Sequence, residues 1–399
     1  MTAAHSAAGF LTISTSMLAL GWLWQALAAL RGMPTLPDLT RTPSPFQDLS
    51  SSDGPDLTVV VPACNEEESI EATLRSLLSS RGVRLQIVAV DDRSTDGTGA
   101  LMDAVAAEDA GGPHSIEVIH NHELPMGWLG KVNALALGAR RATAPWLLFT
   151  DGDVAFDPRA AELSLAYAIR EKADHVVLIL TMEFRSVAEK AVLAVFQSIS
   201  QWSIRLWRVA DPKARDCFGA GGFNLVRREV YERLGGFETL RMAVIEDLSL
   251  AREIKRAGYA QRIVTGPGLA RIRWIQGALG IVDLLEKNGF AALRYNVGLA
   301  LAVCFGLVLD IVLPFAAIAH GGWAAAAGVV MCGSIGLSYI ASRRVTQVSP
   351  WLAALFAPAA AIVLFALVRS MVLTLLRDGV EWRGTLYPLK ELRRNLGGW

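Results

Sequence analysis

The sequence predicts an α/β fold, a mostly parallel sheet with helices, set between apolar segments long enough to cross a bilayer. Three observations predict it. Short β-rich runs alternate with helical patterns between about residues 50 and 295, which implies a parallel sheet covered on both faces. Uncharged apolar stretches lie on either side of that block. Acidic residues fall where strands end, and in such sheets ligands bind beyond the carboxyl ends of the strands.

Composition supports the same division. The chain has 399 residues, 38 Lys+Arg against 38 Asp+Glu, 52% hydrophobic and only 19% charged positions. Mean hydropathy is +0.36. Low charge with high apolar content excludes a disordered chain, and zero net charge argues against a nucleic-acid partner. Cys64, Cys217, Cys304 and Cys332 form no CxxC pair, so no disulfide framework is expected, and a reducing compartment is. No Cys/His spacing suits zinc, which leaves His120 and His122 as expected loop residues.

In chain order, residues 9–30 are an uncharged run near the ~20 residues needed to span hydrocarbon. Residues 1–31 are read as a retained membrane anchor, and the proline-rich stretch 32–56 as a linker. Residues 57–274 form the mixed-polarity, water-soluble block, with strands expected at 57–61, 85–90, 116–119 and 146–150. Helices are expected at 67–78, 98–107, 132–141 and 248–257. Residues 275–296 read as an amphipathic interfacial segment, as does 187–208, where Trp202 and Trp207 stand beside Arg205 and Arg208. Three apolar stretches, 297–319, 323–341 and 351–376, are membrane segments, and 377–399 is a basic tail.

The chemistry-bearing residues sit at the strand ends. Beyond the first strand come Pro62, Asn65 and Glu66 to Glu68, with no glycine fingerprint for a dinucleotide. Asn65 and Glu68 have the spacing of a helix cap, and three carboxylates in a first turn repel a phosphate from that helix dipole. A nucleotide here presents its base. Asp91 and Asp92 adjoin at the second strand's end, and neighbouring carboxylates repel unless solvent, a donor or a cation stabilises them. Asp96-Gly97 reads as a turn and Thr98 as a helix N-cap. Asp151-Gly152-Asp153 aims two carboxylates at one divalent ion bridging a diphosphate; a calcium loop fails because Phe156 occupies the position that requires glycine. Gly127-Trp128-Leu129-Gly130-Lys131 offers a flexible loop with one cation for a phosphate. Glu246-Asp247 opens a helix, where Asp247 suits an N-cap.

Together Val61 to Glu66, Asp91 to Thr98, Gly130-Lys131, Asp151 to Asp153, Gly219 to Phe223, Gly235-Gly236 and Glu246-Asp247 resemble, in this order, the membrane-bound glycosyltransferases of family 2. The loop before Lys131 and the tail Trp382-Arg383-Gly384-x-x-Tyr387 look most like the subgroup of hopanoid-associated, carotenoid-ester and ceramide glycosyltransferases. The resemblance implies a GT-A fold, a UDP-sugar donor, inversion at the anomeric carbon and Mg2+ or Mn2+. It implies that Pro62, Asn65, Glu66, Asp91 and Asp92 hold the nucleotide, that Asp151 and Asp153 hold the metal and diphosphate with Lys131 assisting, and that Asp247 is the general base. Arg271, Arg273 and Trp274 would meet the leaving group. The family often has Gln or Arg where this sequence has Ala270, which weakens a processive-synthase reading.

The reading is therefore a multi-pass protein of the inner (plasma) membrane, with its catalytic block on the cytoplasmic face, that moves a sugar to a lipid hydroxyl. A polyprenyl-phosphate sugar transferase and a catalytically silent scaffold are the alternatives. The basic tail also favours the cytoplasmic face, so residues 351–376, with Pro350 and Pro358 near their start, are expected to re-enter rather than cross.

Overall fold

The structure, a computed structural model, describes residues 2–41, 54–109 and 111–396. Much of the expected linker, including Pro43 and Pro45, lies outside them. The chain divides into two compact units.

One unit comprises Leu36–Glu183 and Leu206–Arg273, with the residues from Arg394. Its strands are β1 (Leu57–Ala63), β2 (Leu85–Asp92), β3 (Ser115–Asn121), β4 (Trp146–Phe149), β5 (Val154–Phe156), β6 (His175–Leu178), β7 (Thr181–Met182), β8 (Asn224–Arg227), β9 (Gln261–Val264) and β10 (Ala270–Ile272). Seven form one sheet in the order β3-β2-β1-β4-β8-β6-β9. The β1, β2, β3 and β4 pairings are parallel, while β8 runs antiparallel to both β4 and β6. β1 is buried at every position, as a strand covered on both faces must be. The helices here are α2 (Ile70–Leu78), α3 (Thr98–Glu108), α4 (Gly130–Arg140), α5 (Ala160–Arg170), α7 (Arg228–Arg233) and α8 (Glu246–Arg256).

Several boundaries differ from expectation for local reasons. Asn65 does not cap α2: it is left-handed at φ 56°, and its side chain accepts the Thr95 N–H at 2.8 Å. α2 begins only at Ile70, after Ser69. Thr98 is the first residue of α3 and not its cap; Asp96 accepts both its N–H, at 3.0 Å, and its hydroxyl, at 2.6 Å. Asp247 lies inside α8, behind Ile245 at the N-cap. His120 is a strand residue of β3, not a loop residue.

The other unit contains the residues up to Thr35, Phe184–Arg205 and Trp274–Arg393. It holds α1 (Thr2–Gly32), α6 (Val187–Ser203), α9 (Gly280–Ala292), α10 (Val297–His320), α11 (Gly322–Thr346), α12 (Phe356–Leu376), the hairpin β11 (Gly379–Trp382) and β12 (Thr385–Pro388), and α13 (Leu389–Arg394). Four of its helical stretches are long and apolar enough to cross a membrane: Gly9–Thr35, Val297–His320, Gly322–Thr346 and Pro350–Leu376. α6, although its sequence lies within the expected catalytic block, packs with these helices. It starts with a capping box between Ser186 and Glu189, and Glu189 also accepts the Gly277 N–H at 2.7 Å. The partly buried Trp274 packs on Phe196 of α6, ring centroids 5.7 Å apart.

Candidate active site

The loops after β2 and β4 and the first turns of α4 and α8 bring the acidic motifs together with one cation. Lys131, in the first turn of α4, sets its ammonium 2.6 Å from Asp151 Oδ1 and 2.5 Å from Glu246 Oε1. The loop before it is anchored at its second half. Trp128 is buried under the Arg241 guanidinium, and the Leu129 N–H donates to the Arg241 carbonyl at 2.8 Å, so an apolar anchor holds the lysine in place. Burial alone lowers an ammonium's pKa, but the charges of Asp151, Glu246 and Asp247 outweigh it and raise that of Lys131.

Asp247, next to Glu246, accepts the Leu248 N–H at 2.6 Å. Burial first, and then the Glu246 charge, push its carboxyl up to about 7. That value suits a group that takes a proton near neutral pH. Lys131, Glu246 and Asp247 line a pocket with Leu135, Phe149, Gly221, Asn224 and Phe237. Gly221 leaves room for this pair, because a Cβ would stand 2.9 Å from Asp151 Oδ2 and 3.0 Å from Lys131 Nζ.

Asp153 keeps part of its surface in solvent. Even so, desolvation first, followed by the charges of Asp151 and Glu66, pushes its carboxyl up to about 7. A cation would relieve that crowding. Among the described residues no trio of His, Cys, Asp or Glu could hold a metal. Asp151 and Asp153 are thus a pair of carboxylates that would offer a divalent ion two protein ligands.

The β1 and β2 ends are laced together. The Asn65 N–H donates to Ser94 Oγ at 3.1 Å, and the Glu66 N–H to Thr98 Oγ1 at 2.8 Å. Asp92 is held by Arg93 on both oxygens, at 3.1 and 2.8 Å, and by Asn121 at 2.7 Å. Asp91 accepts the Ser94 N–H at 3.3 Å and faces His120 Nδ1 at 3.1 Å, while His120 Nε2 faces Asp103 at 3.1 Å. Pro62 is buried within β1.

Arg271 does not join Lys131. It lies on β10, half exposed, 3.7 Å from Glu183, and its charge acts on Asp157. β10 nevertheless pairs antiparallel with β5, Ile272 opposite Val154, so Arg273 and Asp153 each adjoin the last pair of that ladder. Sequence reasoning missed Glu246 as the second partner of Lys131, and Arg93, Asn121 and His120 as partners of the strand-end carboxylates. The adjacent acids Glu246-Asp247 were the only signal for the first.

Residues 58–235 match the family described as Glycosyl transferase family 2. A 4,4'-diaponeurosporenoate glycosyltransferase of Staphylococcus haemolyticus is 22% identical over 58% of this chain and 59% of its own length. The Staphylococcus aureus protein of the same name is 23% identical over 49% of this chain and 50% of its length. The chain thus spans little more than half of these relatives. A mannosyltransferase from Pyrobaculum calidifontis, solved with GDP-Man and Mn2+, superposes with a TM-score of 0.52 at 20% identity, covering 93% of this chain and 98% of its own. The fold is GT-A, as the resemblance implied.

Proposed function

We propose that this chain, whose residues 58–235 are a family 2 glycosyltransferase domain, is an inverting glycosyltransferase that moves a sugar from a UDP-sugar to a hydroxyl of a membrane lipid. The observation that carries this reading is the meeting of Lys131, Asp151, Glu246 and Asp247 within one pocket lining and ion-pair cluster.

Each residue has a part in a single displacement. Asp247 takes the proton of the acceptor hydroxyl, whose oxygen attacks the anomeric carbon on the face opposite the nucleotide. The bond from that carbon to the diphosphate breaks, and UDP leaves with its electron pair. Lys131 turns from its carboxylates towards the developing phosphate charge, and the Asp92 strand end receives the base. A divalent ion bound by Asp151 and Asp153 would neutralise the diphosphate. Arg273, next to the end of the β5–β10 ladder, would add a second positive charge.

The lipid acceptor rests on the apolar helices and on the relatives' names, which specify a carotenoid-type acceptor. The catalytic residues are read as cytoplasmic, on the inner face of the plasma membrane, where nucleotide sugars are made. Purified protein supplied with Mg2+ or Mn2+, a lipid extract and either UDP-sugars or GDP-mannose tests the reading. A lipid glycoside formed from a UDP-sugar, with anomeric configuration inverted by NMR, is expected. Turnover of GDP-mannose alone, retention of configuration, transfer to a polyprenyl phosphate, or no turnover at all overturns it.

A further inference from the structure

We propose that α12 is a re-entrant element: it starts part-way into the bilayer and leaves by the face from which α10 enters, so the C-terminal tail emerges on that face.

The two ends of α12 fix its direction. At its start, the Phe356 ring packs edge-on against Trp22, with centroids 5.7 Å apart, and the Trp22 indole donates to Asp310 Oδ1 at 3.0 Å. Asp310 lies ~20 Å along α10 from Val297, at about 1.5 Å of rise per residue. α12 therefore begins beside the middle of α10. Near its other end, Ser370 Oγ accepts the Phe290 N–H and donates to the Glu286 carbonyl, both at 2.9 Å. Arg369 and Arg377 hold the Glu286 carboxylate at 3.0 and 3.2 Å. Glu286 and Phe290 belong to α9, which a short turn joins to α10. On that turn, the Tyr295 carbonyl accepts from Arg393 at 3.0 Å.

From beside Asp310, then, α12 runs back to α9, which the turn at 293–296 joins to the start of α10. Its stretch 356–370 rises ~21 Å, retracing the ~20 Å between Asp310 and Val297. A helix that crossed would leave α9 a hydrocarbon thickness of about 30 Å behind, and its bonds to α9 exclude that.

The connection into α12 agrees. Gly328 of α11 packs on the Pro314 carbonyl of α10, and Ser342 bonds to Gln201, whose carbonyl accepts from Gln25 near the end of α1. α11 thus returns to the face where α1 ends. The 3-10 helix Pro350–Leu355 then descends to Phe356. Backbone outside an α-helix at that depth needs its polar groups satisfied within protein; this 3-10 stretch packs on α6, α11 and α12 with Leu352 buried and Trp351 turned outward. The break falls there and not at Pro358, which lies within the first turn of α12. The α10–α11 connection, His320-Gly321-Gly322, has no Lys or Arg, whereas the tail has Arg377, Arg383, Lys390, Arg393 and Arg394, as an excess of cytoplasmic positive charge requires.

The test uses the full chain in intact cells, with the native cysteines replaced and single cysteines introduced as His320→Cys, Leu386→Cys, Asn395→Cys and, as a reference for residues preceding α9, Met126→Cys. An impermeant maleimide is expected to label His320→Cys from one face and the other three only from the opposite face. Labelling of Asn395→Cys and Leu386→Cys from the same face as His320→Cys overturns the proposal. A protease-cleavable tag after Trp399 on the unsubstituted chain gives the same answer without altering any residue. Neither readout depends on the proposed activity.

Discussion

The Lys131 ammonium stands 2.5 Å from Glu246 Oε1, an ion pair that ties the first turn of α4 to the first turn of α8. Lys131 also holds Asp151, so one cation pairs with two carboxylates, one of which, Glu246, is almost fully buried. Removing it leaves both unpaired. Breaking a buried pair from one side costs about 3 kcal/mol or more. Lys131→Met is therefore expected to lower Tm markedly, and Glu246→Gln, which removes one carboxylate and leaves Asp151 paired, much less. Equal melting shifts for the two variants would contradict this ordering.

Asp247→Asn keeps the shape of the α8 turn and removes the base. Turnover should fall roughly 10²- to 10⁴-fold with nucleotide affinity preserved. In the unsubstituted protein the rate should rise as pH passes about 7, the value to which burial and Glu246 push this carboxyl; the variant should lose that limb. A raised carboxylate pKa means that the folded state holds the proton more tightly, so this group's contribution to stability declines from about pH 4 to about pH 7. Asp247→Asn should accordingly keep or raise Tm at pH 8. A lower Tm together with lost nucleotide binding would mark a folding residue instead.

His120 joins β3 to Asp91 on β2 and Asp103 on α3, and both ring nitrogens can donate at once only in the protonated ring. The hydrogen bond to Asp91, then that to Asp103, raises its pKa above the usual histidine value. Stability from this group is fully present below pH ~6.5 and is lost as pH rises through the folded value. His120→Gln should therefore lower Tm at pH 5.5 and approach the unsubstituted protein at pH 9. His122, stacked at 6.4 Å, is the other ring facing it, and His122→Gln should leave this pH dependence in place.

How far the sequence foretold these arrangements depended on the range of the forces involved. Asp92 and Asp151 were legible because a β-rich run ending in acids announces a strand end within a few residues. The start of α2 was not, since Asn65 spends its side-chain oxygen on Thr95, which lies 30 residues away in sequence. Nor was the small sheet β5-β10-β7, whose strands of two or three residues exist only by pairing with each other. Arg273 shows the consequence: its motif suggested a leaving-group role, but its place next to the end of the β5–β10 ladder depends on that non-local pairing. The break before α12 was legible in part, because Pro350 announces it whatever surrounds it.

Gly221 supplies the last prediction. It follows no turn rule that demands glycine, and its φ is not in the left-handed region. Its requirement is spatial: a Cβ would press on Asp151 Oδ2 and Lys131 Nζ at once. Gly221→Ala is therefore expected to displace the tips of this pair, now 2.6 Å apart, or to shift the segment that joins it to β8. The expected result is a clear loss of turnover and weaker binding of the nucleotide sugar, while Tm falls less than in Lys131→Met, because the ammonium remains to pair with its carboxylates. Gly258→Ala is the control, since its φ of 84° strains any side chain although no atom lies within 4 Å of its Cβ position. That variant should lose stability and keep activity. If Gly221→Ala behaves the same way, the glycine serves the backbone and not the space around Lys131.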